Sequence, residues 1–422
     1  MKTFSLLFVL AALSDAAPQD LPSALSLRQA ALRTSRYFPK PFPPPTNQPA
    51  PSPVTIQSGE PVYPQLKATP QLLGLVSDPT FSRDSCGTTR LNNRTLWACR
   101  DSQYVVTGAV NTNSLLSSTA SWSNSSAAGQ PTLLSLRSTD NKLNTTVLKQ
   151  YGTNSNSQAF YPVNANKFCS SQGGCSDGSR YAIWPDSPPM RTSYRVGYTW
   201  IRATHINQDL GLVEPNPATI LYKVTAPSAT SGNTLPSVTV VNETFWGRNE
   251  IAYGAYGNVV RNGIAYLYGQ ANGTVSLAKV PVGSVENRSA YRYWVNGDWV
   301  TTAPKIGADG IRIENVSVGG QGTYFWSQGW NSYVWIGGNQ YPGATMYITT
   351  APDPAGPWIT PIRFYDGPNG NFSLPAYSIQ AHPAMMEFNP SLKSMLLTYT
   401  KVDQDSRGNA VYSTPLVYAQ WN

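Results

Sequence analysis

The sequence predicts an all-β fold, a five-bladed β-propeller preceded by a disordered Pro-rich N-terminal segment. Three observations predict it. Aromatic residues make up 11% of the 422-residue chain while charged residues make up only 12%, against roughly 25% in an average soluble chain. Turn signals flanked by alternating apolar runs recur along the sequence, and each is followed by two further strand-like runs.

The chain opens with a secretory signal over Met1–Ala17: Lys2, an apolar run from Phe4 to Leu13, then small residues at Ser14, Ala16 and Ala17. That run is too short to span a bilayer, and nothing later reaches about 18 consecutive apolar residues. From Pro18 to residue 69 the sequence is Pro-rich, with PKPFPPPTNQPAPSP at its centre. Such a segment can form neither ladders nor a long helix and reads as a pro-segment or linker.

The propeller is expected over 70–422. Candidate turns fall at Asn92-Asn93, Pro189 to Ser193, Asn262-Gly263, Trp330 to Ser332 and Asn389 to Leu392. The following strands are 94–101, 194–203, 263–270, 332–338 and 394–400, and a third run closes each unit at 132–136, 219–226, 275–282, 345–352 and 415–421. The stretch from Arg248 to Gln270 is the clearest unit, because Asn262-Gly263 tolerates the positive φ that a two-residue hairpin requires. A lone sheet with two apolar faces cannot cover both, whereas sheets packed around an axis can. The Ser/Thr/Asn-rich insertion from Asn111 to Ser179 is expected to decorate the rim.

Eight Asn-X-Ser/Thr acceptors, at Asn93, Asn124, Asn144, Asn242, Asn272, Asn287, Asn315 and Asn371, point to a fungal-type extracellular glycoprotein. The four cysteines allow three pairings. Cys86 with Cys99, across a short hairpin, and Cys169 with Cys175, closing a Ser/Gly loop, are preferred as structural disulfides. Formal net charge is +8, but Lys and Arg are scattered singly, so neither nucleic acid nor a membrane surface is an expected partner. A monomer acting on a polysaccharide is expected.

Catalytic candidates come from the repeat. The first strand of each blade lines a propeller's channel, which brings Asp84, Asp186, Glu250, Tyr324 or Trp326, and His382 to one space. Two carboxylates flanking a glycosidic bond suffice to hydrolyse it. Glu250, beside apolar Trp246, Ile251 and Tyr253, is expected to stay protonated as the acid, and Asp84, next to Arg83, to stay ionised as the base. Asp186 would position the acid and tune its pKa. Asp101, Trp184, Tyr324, Trp326 and His382 are the expected substrate contacts, the tryptophans as flat stacking surfaces. Bland alternatives stand beside these: Asp84 as a turn cap, Asp186 as part of a Pro-rich turn, Asp101 as a strand terminator, His382 as a buried hydrogen-bonded residue or an ion ligand, and the aromatics as blade packing. No cofactor is expected, since no phosphate-cradling loop, metal-ligand cluster or nucleophile elbow is present.

The segments RDSCGTTRLNNRTLWACRDS, NEIAYGAYGNVVRNGIAYLYG, TTAPDPAGPW and AHPAMMEFNPSLKSMLLTYT resemble a family of secreted proteins, long catalogued as a domain of unknown function, that includes endo-D-arabinanases. The resemblance spans about Gln71 to Asn422 and implies a five-bladed propeller. The order Asp, Asp, Glu is also similar to that of the arabinanase and fructosidase propeller glycosidases, which implies Asp84 as base, Asp186 as pKa modulator and Glu250 as acid. One corner departs from the family: where Phe-Gly-Asp-Thr is usual, this chain has Cys99-Arg100-Asp101-Ser102. The expected function is therefore a secreted furanosidase or arabinanase-type glycoside hydrolase. The alternative is a carbohydrate-binding or cell-wall-associated propeller without turnover, and a structural scaffold ranks third.

Overall fold

The computed structural model describes residues 59–422 apart from 107–108, 127–128, 138–143 and 210. The signal peptide and most of the Pro-rich segment lie outside the described residues. The fold is all-β, with antiparallel sheets in a propeller-like arrangement.

Successive meanders build it. The first runs Cys86–Leu91, Arg94–Cys99, Thr119–Ser123 and Asn144–Tyr151; the second runs Arg180–Ile183 with Met190–Arg191, then Val196–Ile206, Thr219–Thr225 and Ser237–Trp246. The third runs Gly257–Arg261, Ile264–Ala271, Thr274–Pro281, Arg292–Val295 and Asp298–Val300, and the fourth Gly319–Ser327, Ser332–Asn339, Thr345–Ala351 and Ile362–Asp366. The last has Tyr377–Ala381, Ser394–Gln404 and Ala410–Gln420. Paired positive φ values at Asn92-Asn93 (53° and 57°) and Asn262-Gly263 (50° and 75°) make the tight hairpins expected there.

The fourth strand of the last meander comes from the other end of the chain. Gln71–Ser77 pairs antiparallel with Ala410–Gln420, Gln71 opposite Tyr418 and Val76 opposite Thr414. On its other edge it runs parallel to Asn144–Tyr151. The first and last meanders are thereby one nine-stranded sheet, so the five meanders occupy four sheets. A further three-stranded sheet, Phe81–Arg83 with Ser102–Val106 and Ala109–Leu116, lies outside the repeat. Leu66 bridges Trp421, so ordered structure begins before residue 70.

The inner strands nevertheless touch in a ring: Cys86–Leu91 contacts Met190–Arg191, which contacts Gly257–Arg261, then Gly319–Ser327, then Tyr377–Ala381, and back to the first. Apolar clusters fill the wedges between neighbours. Leu96, Trp122, Ile201 and Tyr222 join the first and second meanders. Trp200, Trp246, Ile251 and Leu267 join the second and third, and Tyr268, Leu277, Tyr324 and Trp335 the third and fourth. Trp97, Val334, Leu397 and Leu416 close the ring.

Two expectations are corrected. The third strand of the first meander is Thr119–Ser123, not 132–136; Leu134–Arg137 instead flanks Asn144–Tyr151. Residues 111–179 therefore supply two strands of the first meander, together with Leu134–Arg137 and most of Ala109–Leu116, and do not merely decorate the rim. The strand TASWS escapes an apolar-run reading because the groups on one of its two buried faces are hydroxyls, each satisfied by a buried partner: Ser121 accepts from Arg83 at 2.6 Å, Ser123 from Trp97 at 2.8 Å, and Thr119 bonds Ser102 at 2.7 Å. Both expected disulfides are present. The acceptor asparagines other than Asn144, whose side chain is outside the described set, are exposed.

Leu416 is fully buried in the closing sheet while Leu72, on the N-terminal strand, is largely exposed. Leu416→Ala is expected to cost about 2–5 kcal/mol and Leu72→Ala less than about 0.5 kcal/mol, measured as shifts in urea-unfolding free energy.

Candidate functional site

The starting ends of the inner strands converge on a buried charge network. Its frame is a backbone corner: the Asp84 N–H donates to the Asp101 carbonyl at 2.8 Å, and the Arg100 N–H donates back to the Asp84 carbonyl at 3.0 Å. Cys86 and Cys99 face each other across the adjoining ladder and are disulfide-bonded, which staples this corner covalently. Asp84, Arg100 and Asp101 are thus fixed together before any side chain makes a contact.

Asp84 is only 2% exposed. Its Oδ1 accepts from the Thr400 hydroxyl at 2.8 Å, and its Oδ2 lies 4.0 Å from Arg100 Nε. Burial pushes the carboxyl up to about 6, which Arg100 opposes and the neighbouring Asp101 charge reinforces. The expectation that Arg83 keeps Asp84 ionised is corrected. Adjacent strand residues point to opposite faces, and Arg83 bonds Asp78 at 2.8 Å, with Ser121 and Gln150, on the far side.

Asp186 reaches the same place from the second meander. Its carboxylate lies 3.3 Å from Arg100 and 3.5 Å from Arg202 and is 24% exposed. Its backbone carbonyl accepts from Gln321 at 3.2 Å and Gln380 at 3.3 Å, side chains of the fourth and last meanders. Asn258, from the third, holds the next residue through the Ser187 hydroxyl at 2.8 Å. Gly87 permits the close passage of this segment, since a Cβ there would meet Pro188 at 2.9 Å.

Arg100 therefore sits between two carboxylates. Burial works against its charge, but Asp186, Asp84 and Asp101 outweigh that and hold its pKa above the ordinary value. The indole of Trp184 lies 4.7 Å from its guanidinium. Asp101 is bound by both Arg180 nitrogens, at 2.6 and 3.1 Å, and by Trp184 Nε1 at 2.8 Å. Asp101 and Trp184 are thus brought to the site as buried supports for the network.

Glu250 is not in this network. It precedes the third meander in a short loop, 37% exposed, bonded to Arg288 at 2.7 Å and to the Gly247 N–H. Partial burial pushes its carboxyl up, but the Arg288 bond, the Gly247 N–H and the Arg288 charge together hold it below the ordinary value. The expectation of a protonated Glu250 is corrected: Ile251 and Tyr253 pack into the core beneath it, and the carboxylate turns out to Arg288.

The remaining expected contacts scatter. Tyr324 is buried between the third and fourth meanders, stacked on Tyr268 at 3.9 Å. Trp326 lies toward the opposite end of the same strand, with the Arg261 guanidinium 3.1 Å over its ring. His382 is fully buried against Trp97; its Nδ1 bonds Thr88 at 3.0 Å and its Nε2 bonds Thr398 at 2.8 Å. Both ring nitrogens are therefore committed. Among the described residues no group of three or more His, Cys, Asp or Glu side chains could hold a metal ion. Gln321 and Tyr377, missed from sequence, occupy the strand starts in the fourth and last meanders; reading the repeat a few residues too late picked Tyr324 and His382 in their place.

No protein-family model and no curated protein matches the chain. Among solved structures it is similar to a Bacteroides ovatus ATCC 8483 protein provisionally described as a hydrolase, at 15% identity and a TM-score of 0.54, over 82% of this chain and 87% of that one. This likeness shows a shared fold. Weaker likenesses, which carry no further argument, are to the catalytic domain of Coprinopsis cinerea GH62 α-L-arabinofuranosidase (8% identity, TM-score 0.40, 84% and 97% covered) and to Phanerochaete chrysosporium exo-β-1,3-galactanase (10%, 0.39, 84% and 67%).

His382 and Asp84 have opposite linkage to stability. His382 is pushed from 6.5 down to about 3 by burial, so its contribution is full above 6.5 and is lost as pH falls toward 3. Asp84 is raised from 3.8 to about 6, so its contribution is greatest below 3.8 and declines as pH rises through 6. His382→Gln is expected to lower stability at neutral pH yet flatten its fall on acidification, and Asp84→Asn to remove the decline toward pH 6. Urea midpoints across that range test both signs.

Proposed function

We propose that the protein is a secreted glycoside hydrolase of the furanosidase or arabinanase type, built as a five-bladed propeller in which the nine-stranded sheet counts as two blades. The observation that carries the reading is the meeting of Asp84 and Asp186, from two meanders, on one guanidinium at the end of the channel. Their environments differ, one buried and one partly open, which is the arrangement that separates acid from base roles between two carboxyl groups. Asp84 is deep enough to meet only a small nucleophile, so it is assigned as the base that activates water, with a pKa poised near the working range. Asp186 is assigned to the sugar side. Arg100 and Arg202 hold its carboxylate in place there, at 3.3 and 3.5 Å. Glu250 is assigned a structural role. The signal-like Met1–Ala17, the acceptor asparagines and the two disulfides support an extracellular setting, and no helix among the described residues is long and apolar enough to cross a membrane.

A second reading, sugar binding without turnover, is favoured by Arg100 itself. This residue stands where the resembling family has Gly, and it pairs with both carboxylates that hydrolysis requires. Reducing-sugar release from a panel of arabinans and related polysaccharides separates the two. Hydrolysis predicts release that falls by about 100-fold or more in Asp84→Asn and Asp186→Asn and stays within a few-fold in Glu250→Gln. It also predicts a rate that rises with pH through the Asp84 ionisation near 6. Saturable oligosaccharide binding with no release across the panel establishes the second reading instead.

A further inference from the structure

Toward the opposite ends of the same inner strands lies a cleft of about 530 Å³, within the size range of small-ligand sites. It is lined along Thr88–Arg90, Ser187–Arg191, Asn258–Val260 and Thr323–Gln328, and by Glu387, Trp330 and Ser394, so its floor is the segment that follows Asp186. Asp84, Asp186 and Arg100 do not line it. Buried bonds link the inner strands beside it: Thr88 to His382, His382 to Thr398, and Thr323 to Gln380 at 2.7 Å.

Two independent features give this cleft a ligand's chemistry. First, Trp330 and Ser394 are 3% and 5% exposed, and Trp330 Nε1 and Ser394 Oγ have no hydrogen-bond partner. Buried donors of this kind are rarely left unmatched, and both residues line the cleft. Second, among the described residues the only charged ones lining the cleft are Arg90, Arg191 and Glu387. Both guanidiniums converge on that single carboxylate, at 3.9 and 3.2 Å. Two cations on one anion leave the rim with an excess of positive charge, suited to accept a second carboxylate.

We propose that this cleft is a second saccharide site, selective for an acidic sugar. A uronate carboxylate would pair with Arg191 and Arg90, and ring hydroxyls would meet the Trp330 N–H and the Ser394 hydroxyl. The inference does not rest on hydrolysis at the other end of the axis.

Calorimetric titration of the full chain with di- and tri-galacturonate, beside neutral arabinobiose and xylobiose, tests it. Saturable one-site binding of the acidic sugars is expected, weakened about 10-fold or more in Arg191→Ala and several-fold in Ser394→Ala, and unchanged in Asp186→Asn. Arg191 is half-exposed, so its replacement leaves the fold intact, as an unchanged melting curve would confirm. Any of four results overturns the proposal: no saturable binding, as when water alone satisfies the two donors; equal affinity in Arg191→Ala; equal or tighter binding of the neutral sugars; or loss of binding in Asp186→Asn, which would put the ligand at the other end.

Discussion

A guanidinium withdrawn from water costs several kcal/mol unless carboxylates and well-placed acceptors surround it. Arg100 meets that condition because the chain delivers Asp84 and Asp101 from its own corner and Asp186 from the next meander. The corner depends in turn on the reciprocal backbone bonds between Asp84 and residues 100–101, and on the disulfide beside them. Removing any one carboxylate leaves buried charge uncompensated, so the mouth of the channel behaves as one electrostatic unit. The same coupling explains why Asp84 carries a raised pKa despite a nearby cation: Arg100 is shared, and burial dominates what remains.

The ring that presents this unit is held at two levels. Aromatic and aliphatic wedges join neighbouring meanders, and the hydrogen bonds of Gln321, Gln380 and Asn258 to the Asp186–Pro188 segment tie three meanders to the second. The first level is non-directional and sets the spacing of the sheets. The second is directional and fixes which backbone carbonyl lies on the axis. Glu250 stands outside both: its loop is anchored by Ile251 in the wedge below, so its carboxylate is free to pair with Arg288 on the surface.

Much of the fold was legible because its signals are local. Asn262-Gly263 specifies a hairpin whatever surrounds it, and the runs after it alternate as half-buried strands do. The cysteine pairs were legible for the same reason, being close in sequence. Less visible was anything resting on polar groups satisfied at long range. The strand Thr119–Ser123 reads as a hydrophilic insertion until Arg83, Trp97 and Ser102 are seen to satisfy its hydroxyls. At the site, Asp84 and Asp186 were found from the repeat, whereas Glu250 was misplaced because a repeat locates a strand but not the direction of a side chain in the loop before it. Arg100 was visible as a departure from the resembling family, yet its position between two carboxylates emerges only from the fold.

The pairing of Gln71–Ser77 with Ala410–Gln420 bears on how the chain is made. Among the described residues the first strand to leave the ribosome, Gln71–Ser77, waits for its antiparallel partner until residues 410–420 have been made. Every earlier meander can collapse as it appears, but the ring stays open, with unpaired sheet edges, until that strand emerges. Closure then joins residues from opposite ends of the chain, a contact of very high sequence separation and correspondingly slow formation. The interval before ring closure is therefore when this protein is most exposed to edge-to-edge association.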